Sequence, residues 1–351
     1  MQTKTLIIGA GLSGLALAKT LQAQGRDYRL VEARDRVGGR ISTVDIQGAQ
    51  FDLGPAWFWL GQPRMAAIIE ELGLHPFDQY ATGDLSYEDE HGLVQQGQGY
   101  SSMQGSYRLT GGLTALTNAL AAALPVEYLH LSNEVVSLDL AAEKVIARLA
   151  SDQTITAQQV VLALPPRIAS ELIFFPALPE AATAAMKTCA TWMAGQAKAI
   201  AIYERPFWRA QGLSGDAMSR RGPMVELHDA SPASGGPYAL FGFIGVGPAQ
   251  RRDERQLKDA LKSQLGRLFG PLAASPLALY VKDWAFDPFT ATKADRQPLY
   301  AHPHYGLPKS MTGLWDGKLI FSGTETAHQF GGYLEGALEA AEHALLRLNN
   351  D

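Results

Sequence analysis

Apolar residues along the chain fall into short blocks set off by glycine, proline and polar stretches. The Lys4 to Ile8 block predicts a strand, and the spacing of Leu12, Leu15, Leu17 and Leu21 predicts a helix to Gln24. Tyr28 to Glu32 reads as a second strand, parallel to the first. Helical spacing recurs from Pro63 to Leu72, from Gly111-Gly112 to Leu124, around Glu180 to Met186, from Glu254 to Leu268 and from Leu334 to Leu348. Alternation over Glu127 to Leu140 and Lys144 to Leu149 predicts antiparallel strands. Val160 to Leu164 reads as a buried strand stopped by Pro165-Pro166. Further strands are expected at Lys198 to Tyr203, Tyr238 to Val246 and Lys318 to Ser322, with hairpin and loop from Tyr80 to Gly105. There is no internal repeat or low-complexity tract. Strand and helix at both ends with mixed structure between them point to one α/β domain interrupted by another.

The composition narrows the class. A length of 351 residues allows about two domains. Hydrophobic residues make up 46% and charged residues 19%, an ordinary globular balance. A formal net charge of −5, without runs of like charge, implies no nucleic-acid partner. No uncharged run approaches the ~20 residues that span a bilayer, so no membrane partner is expected. The single cysteine, Cys189, rules out an intrachain disulfide and a cysteine metal cluster, and fits a cytoplasmic location. His302 and His304 flank Pro303, but no carboxylate spacing completes a metal site there.

Candidate chemistry is concentrated at the two ends. Gly9-Ala10-Gly11-Leu12-Ser13-Gly14 follows the first strand and opens the first helix. Gly9 permits a tight turn, Gly11 lets backbone approach a pyrophosphate, and Gly14 lets helix and strand lie close. The helix N-terminus attracts phosphate, and Glu32 can accept hydrogen bonds from ribose hydroxyls. Arg34-Asp35-Arg36-Val37-Gly38-Gly39-Arg40 follows. Near the other end, Leu319 to Ala327 reads as a strand entering a glycine turn with an acid, Glu325. Gly331-Gly332-Tyr333-Leu334-Glu335-Gly336-Ala337 then opens the last helix. Between the ends, Phe51 to Trp59 carries three aromatics after a Gly54-Pro55 break, expected to line a core or pocket. Lys198 interrupts a strand of small apolar residues, where an ammonium needs a partner or a solvated cavity.

These segments together resemble the flavin-containing amine oxidase family, which includes the monoamine oxidases. The strongest matches run from Leu6 to Arg40 and from Phe321 to Ala341. Weaker collinear matches are Asp52-Leu53-Gly54 with Trp57, Arg108 with Gly111-Gly112, Val135, Val161 to Pro166, Lys198 with Phe207-Trp208, and Trp284. The resemblance implies a mixed α/β, two-domain, glutathione-reductase-type FAD-binding Rossmann fold with an inserted substrate domain. Residues 1–60, 106–167 and 285–351 would form the FAD domain, and residues 61–105 and 168–284 the substrate domain.

The resemblance also implies the cofactor contacts. The turn residues Gly9, Gly11, Leu12, Ser13 and Gly14 would meet the pyrophosphate, and Glu32 with Ala33 the adenosine ribose. Arg34, Gly39 and Arg40 would lie near phosphate and ribose, and Val135 would meet adenine through its backbone. Gly323, Thr324 and Glu325 would approach the ribityl chain or pyrophosphate. Gly54, Pro55, Ala56, Trp57, Trp284, Gly332, Tyr333 and Leu334 would sit against the isoalloxazine. Lys198 matches the lysine that holds a water at flavin N5, and Tyr333 one of two facing aromatic rings. Lys198, Tyr333 and Trp284 are therefore the expected catalytic residues, with Trp57, Asp295 and Phe330 on the substrate side.

Two departures shape the expected chemistry. Members with covalent flavin carry a cysteine after the Trp284 position. Here Phe289 to Asp295 has none, so FAD should be non-covalent. The second cage ring falls at or near Ala294, leaving half a cage, and Asp295 could pair with a cationic substrate, with Arg296 or with a loop amide. The segment from Trp59 to Arg108 is also short for the family. The implied reaction is oxidation of a small amine to an imine by hydride transfer to flavin N5. Oxygen would then reoxidise the flavin and give hydrogen peroxide. Renalase-like or protoporphyrinogen oxidase-like chemistry on a non-amine, or flavin binding without turnover, are the alternatives. The oligomeric state is left open.

Overall fold

The computed structural model describes residues 1–297, 299 and 301–348. The segment from Gln2 to Ile8 forms the central strand of an eight-stranded sheet. Leu129–His130, Tyr28–Val31, Gln2–Ile8, Thr154–Leu162 and Leu319–Phe321 run parallel in that order. Thr154–Leu162 is long enough to serve two neighbours. Its first half pairs antiparallel with Lys144–Leu149 and its second half parallel with Leu319–Phe321. The first and last helices, Leu12–Ala23 and Leu334–Leu348, pack together on one face, where Leu15, Leu17, Leu21, Leu338 and Ala344 are buried.

The second sheet is built from distant parts of the chain. Its order is Ala278–Asp283, Ala197–Tyr203, Tyr238–Ile244, Met224–Asp229, Leu213–Ser219, Asp84–Glu88 and Val94–Gly97. Side chains alternate between its faces. Ala197, Ala199, Ala201 and Tyr203 pack in one cluster with the helix Glu254–Phe269. Ile200 and Ile202 pack on the other side with Phe51, Ala56 and Trp57 of the first domain. Lys198 shares the parity of Ile200 and Ile202, and so projects toward the junction of the two domains.

Two expected boundaries shift. Ile173–Phe175, placed by sequence in the substrate domain, adds parallel to Val135–Ala141 in the first sheet. Leu178, Ala182 and Met186 bury in the core beneath that sheet, so the stretch beyond 168 stays with the first domain. The helix Pro63–Glu71 also belongs there. Met65 and Ile69 join the first core, and buried Glu335 accepts from the Arg64 and Met65 N–H groups. The predicted strand from Glu127 to Leu140 is divided. Leu129–His130 pairs with Tyr28–Val31, and Val135–Ala141 with Lys144–Leu149.

Candidate active site

The parallel strands of the first sheet end together at Gly9, Glu32, Ala163 and Ser322, the edge at which open α/β sheets bind ligands. A cavity of about 460 Å³ opens there and runs to the second sheet. The glycine turn sits at one end, and its three glycines have different reasons. Gly9 has φ +106°, and a Cβ on it would lie 2.7 Å from the Ala163 carbonyl oxygen. A Cβ on Gly14 would lie 2.0 Å from the Gly9 oxygen. A Cβ on Gly11 would meet no protein atom within 4 Å, yet Gly11 lines the cavity. Packing accounts for Gly9 and Gly14, whereas Gly11 keeps open a space for a ligand. That is the fit expected for a pyrophosphate-bearing cofactor at the first helix N-terminus.

Acids and guanidiniums fix the loops around the turn. Glu32 accepts from Ala10 N–H at 2.8 Å and Arg34 N–H at 3.0 Å. Arg34 pairs with Asp287 and donates to Thr290 Oγ1 at 2.9 Å. Arg40 forks onto Glu325 at 2.7 and 3.3 Å. Both arginines also line the cavity, as does Thr290, the partner of Arg34.

At the other end, Lys198 is 4% exposed. Its Nζ donates to the Gly54 carbonyl at 2.7 Å and the Asp52 carbonyl at 3.3 Å. The Phe241, Phe243 and Trp57 ring centres lie 4.3, 5.6 and 5.7 Å from it. Burial holds the Lys198 ammonium well below the ordinary lysine pKa, against the pull of the Asp52 charge. Burial likewise pushes the Asp52 carboxyl upward, opposed chiefly by Arg108. Asp52 Oδ1 accepts from Leu113 N–H at 2.9 Å, while among the described residues buried Oδ2 has no partner. With its folded pKa depressed, Lys198 binds fewer protons than in the unfolded chain at neutral to mildly alkaline pH. Its stability contribution is complete above the unfolded lysine pKa and lost as pH falls through the folded one. The thermal midpoint of the wild type relative to Lys198→Met is therefore expected to rise on going from neutral to alkaline buffer. A pH-independent difference would show that the lysine is solvated in the fold.

Most of the residues expected from sequence do converge. Gly9, Gly11, Leu12, Ser13, Glu32, Arg34, Gly39 and Arg40 line the cavity at the glycine-turn end. Gly54, Pro55, Ala56, Trp57, Lys198, Trp284, Gly323, Thr324, Gly332, Tyr333 and Leu334 line the remainder. Trp284 donates its indole N–H to the Leu53 carbonyl at 3.0 Å. Others lie behind the wall. Gly14 packs on Gly9, Ala33 and Val135 do not line the cavity, and Glu325 is buried behind it, paired with Arg40. Phe330 also lies off the wall, with its carbonyl oxygen accepting from Tyr333 N–H at 3.0 Å.

Asp295 is committed elsewhere. It is 4% exposed, pairs with Arg167 at 2.6 Å, and accepts from the Thr292 N–H and hydroxyl at 2.8 Å. Its partners are Arg167 and loop amides rather than Arg296 or a cavity ligand. Asp295→Asn is expected to cost about 3 kcal/mol of stability by leaving Arg167 without its counter-charge. Its effect on amine KM should be small; a large KM effect in a stably folded variant would return Asp295 to the substrate side.

Sequence reasoning missed several wall residues. Trp192 and Glu226 line the cavity, and so does Met103. Ala294, where the sequence left half a cage, is exposed, and His302 stacks on Tyr333 with ring centres 5.0 Å apart and planes at 15°. Trp59 meets the Tyr333 ring edge-on at 6.4 Å. The aromatic composition of Trp59 and Trp192 was a visible signal. His302, which sequence offered only as a loop histidine, was not.

A parallel sheet with a glycine turn, a second sheet carrying a buried lysine, and a cavity joining them make up a two-part α/β architecture built around one site. The family model "Flavin containing amine oxidoreductase" matches residues 12–100 and 80–344, and the chain belongs to that family. It is a flavin-dependent amine oxidase with FAD as its cofactor. Among its relatives, putrescine oxidase of Kocuria rosea is 22% identical, with 83% of this chain and 84% of that one covered. Amine oxidase [flavin-containing] B of Sus scrofa is 23% identical over 97% of this chain and 84% of its own. Among solved structures, putrescine oxidase bound to putrescine superposes with a TM-score of 0.84 at 20% identity, covering 100% of both chains. Cyclohexylamine oxidase from Brevibacterium oxydans superposes with a TM-score of 0.80 at 20% identity, covering 99% of both. Among the described residues, no helix is long and apolar enough to cross a membrane.

Proposed function

We propose that this protein oxidises a small amine to the corresponding imine, with oxygen as the final acceptor and hydrogen peroxide as a product. The observation that carries this reading is the meeting of Lys198, Trp284 and Tyr333 in one cavity with the glycine turn. When bound, FAD would supply the redox chemistry, a two-electron oxidation of the amine with oxygen as the final acceptor. The protein's share is binding and orientation. Gly11 and the first helix N-terminus would hold the pyrophosphate, and Glu32 the ribose. Trp57, Trp59 and Tyr333 offer an apolar wall against which a neutral amine can lie, and Lys198 keeps a proton donor at the same end. A cysteinyl link to FAD is not available, because the sole cysteine, Cys189, does not line the cavity, and non-covalent binding is the expected mode.

An anaerobic titration of the yellow protein with amines tests the reading. Bleaching by an amine, then recovery and peroxide on admitting air, is the expected result. Bleaching only by a reduced nicotinamide would replace it with renalase-like chemistry. Acid precipitation is expected to leave the flavin in the supernatant; flavin retained in the pellet would mean a covalent link.

A further inference from the structure

Lys282 lies directly opposite Lys198 on the neighbouring strand of the second sheet, so both side chains face the junction of the two domains. Lys198 lines the cavity and Lys282 does not. The Lys282 Nζ instead donates to Asp287 Oδ2 at 2.9 Å and sits 4.5 Å from the centre of the Trp284 ring. Trp284 does line the cavity, and its indole N–H is fixed on the Leu53 carbonyl. The indole is thus gripped at two points, by a carbonyl and by a cation.

Asp287 is buried where the chain leaves the second sheet, and its carboxylate is shared. Oδ2 takes Lys282, while Oδ1 takes Arg34 and accepts from the Phe289 N–H at 3.2 Å. Arg34 follows the second strand of the first sheet and lines the cavity at its glycine-turn end. Its guanidinium is further held by Thr290 Oγ1 at 2.9 Å, by Glu32 at 3.5 Å and by the Phe289 ring, 5.2 Å away. Burial works against a charge on Asp287, but the bond to Lys282 and the Arg34 charge keep its carboxyl below the usual carboxylate range. One carboxylate therefore serves a cation from each domain. The Asp287 and Arg34 side chains are only 8% and 12% exposed, so water is a poor substitute for either partner.

We propose that Lys282 and Asp287 are positioning residues for cofactor retention: Lys282, on the substrate sheet, fixes Asp287, and Asp287 fixes Arg34 at the cofactor end of the cavity. Arg34 then meets the anionic, phosphate-bearing part of FAD with its planar fork preset. A preset guanidinium gives up less freedom on binding than a loose one, and so holds an anion more firmly. Simple charge predicts the opposite sign at Asp287, because removing an acid beside a phosphate site would by itself tighten binding. By linkage, a bound cofactor steadies Lys282 and the Trp284 ring in return.

The test follows release of FAD from the full-length holoenzyme after dilution, read as the fluorescence of free FAD. Asp287→Asn, which keeps its shape, and Lys282→Met are each expected to speed release about tenfold, the low end for a hydrogen bond to a charged group. Lys282→Arg, which keeps the charge, should release FAD at the wild-type rate. In the Asp287→Asn background, Lys282→Met should add nothing, because its path to Arg34 is already cut. Release unchanged or slowed in Asp287→Asn would overturn the proposal, and so would additive effects of the two substitutions. If Asp287→Asn does not fold, the Lys282 variants decide: Lys282→Met at the wild-type rate, or Lys282→Arg as fast as Lys282→Met, would overturn it. The readout needs no amine, so its outcome is separate from that of the proposed reaction.

Discussion

Replacing Gly11 by leucine is expected to give a folded but colourless protein. Gly11 has φ −72° and ψ −177°, extended backbone open to any residue. A Cβ there meets nothing within 4 Å, so the polypeptide accommodates the side chain at little cost. The leucine would instead project into the space that the pyrophosphate needs. Overpacking of that kind costs about 1–3 kcal/mol, so flavin retention should fall by roughly tenfold or more. The protein-only thermal midpoint should stay close to that of the flavin-free wild type. Gly14→Ala is the contrast, because its Cβ would strike the Gly9 carbonyl and disturb the fold itself. Visible absorbance per protein and the melting curve of each variant check both statements. A fully yellow Gly11→Leu would mean that the cofactor passes elsewhere.

The second large effect is expected at Lys198. Lys198→Met preserves bulk against Phe241, Phe243 and Trp57 but removes the donor to the Gly54 and Asp52 carbonyls. Hydrogen bonds of a charged group contribute about 1.5–3 kcal/mol each, so a half-reaction that uses the ammonium should slow by about ten- to hundredfold. FAD should remain bound, since the glycine turn and Arg40 lie at other positions on the wall. Stopped-flow traces of reduction by amine and reoxidation by oxygen separate the two half-reactions. Unchanged rates in both would leave Lys198 with a structural role only.

The elements read from sequence were those whose periodicity matches their burial. In the Ala197–Tyr203 strand, every residue is buried, and a single charge among small apolar residues announced a site. The glycine turn was equally legible, because Gly9 and Gly14 answer to local steric demands and Gly11 completes the motif spacing between them. The strands Leu213–Ser219 and Met224–Asp229 were not predicted. They carry Ser214, Gly215, Asp216, Glu226, His228 and Asp229, a loop-like composition. In the fold these groups satisfy one another: Asp229 accepts from Trp208, Arg209 and Ser231, and His228 joins Asp216 to Glu226. Mutual pairing replaces the apolar alternation on which strand reading depends. Asp295 shows the opposite difficulty. Its residue type and its place after the Trp284 region fit a substrate contact, but its partner Arg167 is remote in sequence.

The carbonyls of Asp52, Leu53 and Gly54 are successive acceptors on one loop of the first domain, and their donors, Lys198 and Trp284, come from the second sheet and its exit. Together they make a seam. Parting the two domains at that point would strip three carbonyl groups of their donors and expose a buried ammonium, so the seam behaves as a pivot rather than a gate. The contacts that hold Lys198 and Trp284 at the cavity wall are thus the same ones that tie the second sheet to the first domain.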